Sequence, residues 1–177
     1  KVKKAAQAAA GSKRLGDLDD DDDTPDDAAL FWQPGKRGYY SPRPGKNSEE
    51  RLNAFRNVGR VIGLCLLQNE ILPLFLSRHV LKWLLGRRVG WHDLAFYDPV
   101  MYESMRMLVV QTETGDAAAA DTLRGLDLAF CCELPPEEGG GQVELVPGGN
   151  DIEVTTSNIH DYVRRYAYFR TVKTAEK

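Results

Sequence analysis

Between residues 47 and 86, apolar side chains recur at steps of three and four. Leu52, Phe55, Val58, Gly59, Ile62, Cys65 and Leu66 follow this spacing, which lines one face of a helix turning 3.6 residues at a time. Asn47 stands where an N-cap belongs. Glu50, three residues later, is placed to close a capping box. A second helix is predicted to carry Pro73 in its first turn and to stop at Gly86, with Phe75, Leu76, Val80, Leu81, Leu84 and Leu85 as its apolar face. Gly59 and Gly63 lie four apart, and each costs about 1 kcal/mol of helix propensity against alanine. A close backbone neighbour would explain them. This helix pair is expected to be the centre onto which the rest of the chain packs.

Further along, Asp98 and Pro99 read as the cap and first position of a helix whose face is Tyr102, Met105, Leu108 and Val109. Residues 115–125 read as a loop with an alanine-rich helical turn. Leu126, Leu128, Phe130, Cys132 and Leu134 then alternate with other residues, the period of a strand with one buried face. Val143 with Leu145, and Ile152 with Val154, predict two more strands. Thr155 is placed to cap a last helix with the stripe Ile159, Tyr162, Val163, Tyr166 and Phe169 or Arg170, leaving His160 and Asp161 off it. The pattern predicts an α+β fold, mainly helical, with a small antiparallel sheet.

Composition changes this picture only at the N-terminus. The chain has 177 residues, is 42% hydrophobic and carries a formal net charge of −3, enough length for one domain with a core and no general attraction for nucleic acid or anionic lipid. No apolar run approaches the roughly 18 residues of a membrane span, and the start lacks the apolar core of a secretory signal. Lys1, Lys3, Lys4, Lys13 and Arg14 are followed by Asp17, Asp19 to Asp23, Asp26 and Asp27. Blocks of like charge cannot bury area, so residues 1–35 are expected to be a disordered charged linker. The aspartates lack the alternation and closing glutamate of a calcium loop. The chain opens on a lysine, which is expected of a fragment.

Few residues suggest chemistry. Cys65, Cys131 and Cys132 are odd in number, form no Cys-x-x-Cys pair and sit among apolar neighbours, as in a reduced, intracellular protein of the nucleus or cytoplasm. Arg37, Tyr39, Tyr40 and Arg43 interleave cations with rings, as a single-strand nucleic-acid platform does. The acidic chain makes nucleic acid an unfavoured partner, and we expect Phe31, Trp32, Tyr39 and Tyr40 to lie against the first helix instead. His92 beside Asp93 has no accompanying nucleophile, so local bonding is expected. The turn EEGGGQ at residues 137–142 lacks the lysine and following helix of a phosphate-binding loop. No cofactor-binding or metal-ligating set stands out. Arg60, a cation on a nearly apolar helix, is expected to find a carboxylate or carbonyl.

The blocks FRNVGRVIGLCL, LLGRRVGWHDLAFYDPVMYESM, LDLAF and VELVPGGNDIEVTTSNIHDYVRRY resemble, in order and spacing, the large subdomain of the N-lobe of HECT ubiquitin ligases. The matched motifs are a GR-x-x-G helix, a DP-x-x-Y-x-S helix, an LDL strand and an EL-x-P-x-G turn followed by VT and a tyrosine-bearing helix. The form GKN-x-x-x-RLN-x-FRN, with GLCLLQNE and EEGGGQVEL, is most similar to the hyperplastic discs branch of that family.

The resemblance implies a partial HECT domain over residues 36–172, with 173–177 starting the next segment. It implies a parent enzyme that accepts ubiquitin from a conjugating enzyme onto its own cysteine and passes it to substrate lysines. The family's nucleophile and its docking subdomain for the conjugating enzyme fall beyond Lys177, so no catalytic residue is assigned and the piece alone is expected to be inactive. The rival reading is a non-catalytic module that binds ubiquitin or another protein. Some relatives hold a second ubiquitin through aromatic residues; the nearest matching positions here are Ala54 and Glu137, neither aromatic. Phe55 and Tyr102 match family aromatics and are expected in the core.

Overall fold

The structure is a computed structural model that describes residues 29–138 and 140–175; the charged block at 1–27 lies outside the described residues. The chain divides into two compact units, one of residues 29–106 with 167–175 and one of residues 107–166.

The first unit opens with a short antiparallel ribbon, β1 (Phe31–Trp32) against β2 (Ser41–Pro42), which the sequence pattern did not announce. Pro34 and Gly35 turn the chain between the strands. The Gly35 backbone passes so close to the end of α3 (Leu94–Tyr97) that a Cβ there would meet the Phe96 and Tyr97 carbonyl oxygens at 2.4 and 2.6 Å. Helix α1 (Glu49–Gln68) follows. Its cap is Ser48, whose hydroxyl accepts from the Arg51 amide, and not Asn47. Asn69 ends it in the left-handed conformation, which an amide side chain tolerates better than most.

Helix α2 (Arg78–Leu84) is shorter than expected. Pro73 and Phe75 lie outside it, in an extended connection where Leu76 makes a parallel bridge to Tyr40. The chain there satisfies its amides by pairing with residue 40, through Tyr40 N to Phe75 O and Ser77 N to Tyr40 O, both 2.8 Å. That pairing outcompetes an early helical turn. Gly86 does end the helix, with φ +65°, its amide reaching the Trp83 carbonyl. Asp98 caps α4 (Pro99–Glu113) as predicted, accepting from the Met101 amide at 3.0 Å.

The core of this unit does not sit between α1 and α2. It comprises Leu76, Leu94, Tyr97, Met105, Phe169 and Val172, whereas α1 has no buried residue at all. Phe55 and Tyr102 are half-buried. No atom lies within 4 Å of a Cβ built at Gly59 or Gly63, so the close backbone neighbour expected there is absent among the described residues.

In the second unit, the alanine-rich helical turn expected within a loop is a longer helix, α5 (Ala119–Leu126), with Ala119 and Leu123 buried. Leu126 therefore belongs to a helix, and the strand starts later. β3 (Cys131–Glu133) pairs antiparallel with β4 (Gln142–Glu144), Cys132 opposite Val143. The third strand is reduced to one bridge between Ala129 and Glu153. Two backbone bonds flank it, Phe130 N to Ile152 O at 3.0 Å and Val154 N to Leu128 O at 2.8 Å, and Phe130 N also reaches Gly149 O at 3.0 Å. Cys131 and Cys132 are both buried, although they point to opposite faces of the hairpin.

The last helix, α6 (Ile159–Thr171), keeps its predicted stripe: Ile159, Tyr162, Val163, Tyr166, Phe169 and Arg170 are all buried. The Thr155 carbonyl receives the Asn158 and Ile159 amides, while the Asn158 side chain accepts from the Thr155 amide. The Thr155 hydroxyl turns to Ser157 instead of capping.

Candidate functional site

The cysteines are the first residues to weigh as nucleophiles. Cys132 is 1% exposed, and Cys131 is packed with its thiol against Asn150 Oδ1 at 2.9 Å. Burial raises the Cys131 pKa, and the Glu144 carboxylate pushes it the same way. A reactive thiolate needs access and nearby positive charge; Cys131 has neither. Cys65, half-buried on α1, has no described histidine or cation bonded to it. All three are free thiols.

The structure also assembles a cluster that no local pattern signals. Ser41, Ser77 and His79 are buried together although 36 to 38 residues separate them. Ser41 Oγ donates to Ser77 Oγ at 2.9 Å and lies 3.3 Å from His79 Nε2. A serine beside a histidine suggests nucleophilic catalysis, but the electrostatics point the other way. Burial pushes His79 down to about 4, against the pull of the Asp93 carboxylate. Such an imidazole is a poor base near neutral pH, and no carboxylate orients its other nitrogen. With Ser41 donating to Ser77, Nε2 is the donor to Ser41 and Nδ1 is left as a buried acceptor without a partner. The cluster is a packing and hydrogen-bonding device.

His92 and Asp93 resolve into separate local roles. Asp93 is buried, accepts from the Gly90 amide at 2.8 Å, and pairs with Lys82 at 2.6 Å and Arg78 at 3.2 Å. His92 is exposed, with Nδ1 3.0 Å from the Tyr102 hydroxyl and its ring stacked near Trp91. Arg60 does not find the charged partner expected for it. It reaches the amide oxygen of Asn57 at 3.0 Å on the exposed side of α1, as Arg56 reaches Asn53 at 2.6 Å.

The proposed nucleic-acid residues form no stacking platform. Tyr39 packs against Phe75, with Lys36 over its ring. Phe31 does meet α1, edge-on to Phe55 at 5.6 Å, whereas Trp32 packs on Tyr97. Ala54 lies on α1 and Glu137 in the 3₁₀ turn Pro136–Glu138, one in each unit. Among the described residues, no group of three or more His, Cys, Asp or Glu side chains could hold a metal ion, and no helix is long and apolar enough to cross a membrane.

One concave feature of the first unit is apolar. A groove of about 590 Å³ runs along α1 and α2, lined by Leu52, Phe55, Ile62, Val80 and Trp83, with His79 among its walls and Arg56 at its edge. What this groove offers is a mostly apolar surface for packing.

Residues 24–177 match the family profile described as HECT-domain (ubiquitin-transferase). The chain is 55% identical over 158 residues to the E3 ubiquitin-protein ligase hyd of Drosophila melanogaster, covering 89% of this chain and 5% of that protein. It is 29% identical over 144 residues to UPL2 of Arabidopsis thaliana, an E3 ubiquitin-protein ligase, covering 77% of this chain and 4% of that protein. Against the E3 ubiquitin-protein ligase HACE1 of Danio rerio the identity is 27% over 151 residues, covering 85% of this chain and 16% of the relative. The chain thus spans a small fraction of the curated relatives it matches. With the profile covering most of the chain and an α+β architecture beneath it, the chain belongs to the HECT family.

Proposed function

We propose that this chain is scaffold within the N-lobe of a HECT-type ubiquitin-protein transferase, and that the transfer chemistry belongs to residues outside it. The observation that carries this is the coincidence of a family match over residues 24–177 with three cysteines unsuited to attack. In the parent, a thiolate attacks the thioester joining ubiquitin to a conjugating enzyme, and the conjugating enzyme's thiolate leaves. A substrate lysine amine then attacks the new thioester, forming an amide and releasing the ligase thiolate. The chain's part is to hold the lobe together. Ubiquitin, a conjugating enzyme and substrate proteins are the partners, and the free thiols support a reducing compartment, in the nucleus or cytoplasm.

The test is a thioester assay with activating enzyme, a panel of conjugating enzymes and labelled ubiquitin, on the natural longer protein beside the 177-residue chain. A reductant-sensitive adduct on the longer protein alone is expected. An adduct on the chain that disappears in Cys65→Ser, Cys131→Ser or Cys132→Ser would overturn the scaffold assignment. No adduct on either would favour a non-catalytic interaction module.

A further inference from the structure

Two buried side-chain nitrogens of the first unit, Trp32 Nε1 and His79 Nδ1, have no hydrogen-bond partner among the described residues. Both belong to one cluster. Each ring packs edge-on with that of Tyr97, at 6.1 Å for Trp32 and 5.4 Å for His79 between centroids. Trp32 stands opposite Ser41 in the β1–β2 ribbon, so the two side chains share a face, with Cβ atoms about 5 Å apart. Ser41 Oγ in turn lies 3.3 Å from His79 Nε2.

The two nitrogens are chemically complementary. An indole N–H only donates. His79 Nδ1 accepts, because Ser41 spends its proton on Ser77 and Nε2 must donate to Ser41. Turning the imidazole over does not remove the orphan, since Nδ1 would then face Ser41 and Nε2 would be left over. Asp93 does not compete for the indole proton, because Arg78, Lys82 and the Gly90 amide already hold its carboxylate. A group that accepts one hydrogen bond and donates another meets both nitrogens, and water is the smallest such group. Ions are excluded by the same pairing: a cation would face the indole proton and an anion the imidazole lone pair. A buried donor and a buried acceptor left unmade are both costly, and one molecule relieves both.

We propose that one internal water molecule joins this pair, accepting from Trp32 Nε1 and donating to His79 Nδ1. The hydrogen bonds then run in a single direction, from Trp32 to water, His79, Ser41 and Ser77, so that each strengthens the next. The chain latches the ribbon to the start of α2, beside the backbone bonds of Tyr40 with Phe75 and Ser77. This goes beyond the transfer reading and does not depend on it.

Solution NMR on the nitrogen-15-labelled 177-residue chain tests it. The Trp32 indole proton, identified by its loss in Trp32→Phe, is expected to show a nuclear Overhauser effect to the water resonance and slow exchange with solvent. The effect is expected to persist in Ser41→Ala, which removes the hydroxyl opposite Trp32 as a relay. Nitrogen shifts are expected to place the His79 proton on Nε2. Absence of the water effect in the folded chain overturns the proposal, as does its loss in Ser41→Ala, a scalar coupling straight from Trp32 Nε1 to His79 Nδ1, or a proton on Nδ1 at neutral pH. Independently, unfolding equilibria of Trp32→Phe, His79→Phe and the double variant are compared. Each single change strands the remaining nitrogen, so the double variant is expected to be at least about threefold more stable than the product of the single effects. Simply multiplicative effects overturn the bridge, whatever signals the NMR resolves.

Discussion

At the scale of single residues, His79 shows how burial sets behaviour. Its pKa falls from 6.5 to about 4 in the folded chain, so between those values the unfolded state binds the extra proton. Stability is then fully present above pH 6.5 and declines as pH falls toward 4. The shift corresponds to ~3 kcal/mol. The groups facing His79 are Ser41, Ser77 and the Tyr97 ring, with Asp93 acting at longer range. Urea denaturation of wild type and His79→Phe at pH 7 and pH 4.5 isolates the histidine from the carboxylates. The wild type is expected to lose more stability over that interval, and parallel losses would reject the assignment. Gly35 gives a sharper test. Its backbone touches the Phe96 and Tyr97 carbonyls, and Gly35→Ala is expected to lower stability by about 1–3 kcal/mol, the usual cost of overpacking, read as a lower thermal midpoint.

At the scale of elements, caps decide where helices begin more than apolar periodicity does. Asp98 accepts from the Met101 amide at the start of α4, and Asp98→Ala is expected to cost about 1 kcal/mol by chemical denaturation. Ser48→Ala is expected to cost a similar amount, whereas Asn47→Ala should cost little, because the cap hydroxyl belongs to Ser48. Equal losses at 47 and 48 would reassign the cap. Within α6, Asp161 receives Arg165 and Arg164, and these bonds hold its carboxyl below the ordinary range. Being on the surface, they are screened and weak, so the helix depends on its buried stripe.

For the whole molecule, the asymmetry of burial is the consequential fact. Ile159 is 1% exposed and Leu67 85%. Ile159→Ala is expected to cost about 2–5 kcal/mol, while Leu67→Ser should shift stability by less than about 0.5 kcal/mol in the 177-residue chain. Thermal denaturation of the two variants beside the parent chain checks both. In the chain, amides of α1 should exchange faster than those of α6, since no α1 side chain is buried to hold the helix against opening.

Much of this was legible in the chain itself. The stripe of α6, the Asp98–Pro99 start of α4, the Gly86 stop and the β3–β4 hairpin follow from periodicity and capping, which are local properties of consecutive residues. The burial of Cys131 and Cys132 was legible too, from their apolar neighbours, whereas Cys65 is only half-buried, and the ordered blocks were enough to point to the HECT family. What only the tertiary structure decided involves partners distant in sequence. The pairing of residue 40 with residue 76 shortened α2, the third strand came down to the single bridge of Ala129 with Glu153, and Ser41 met Ser77 and His79 across more than 35 residues. Above all, the apolar stripe of α1 predicted a buried face, yet that face is open in this chain. Periodicity reveals that a helix has a side that gains free energy by leaving water. Which surface lets it do so depends on what the fold brings opposite it.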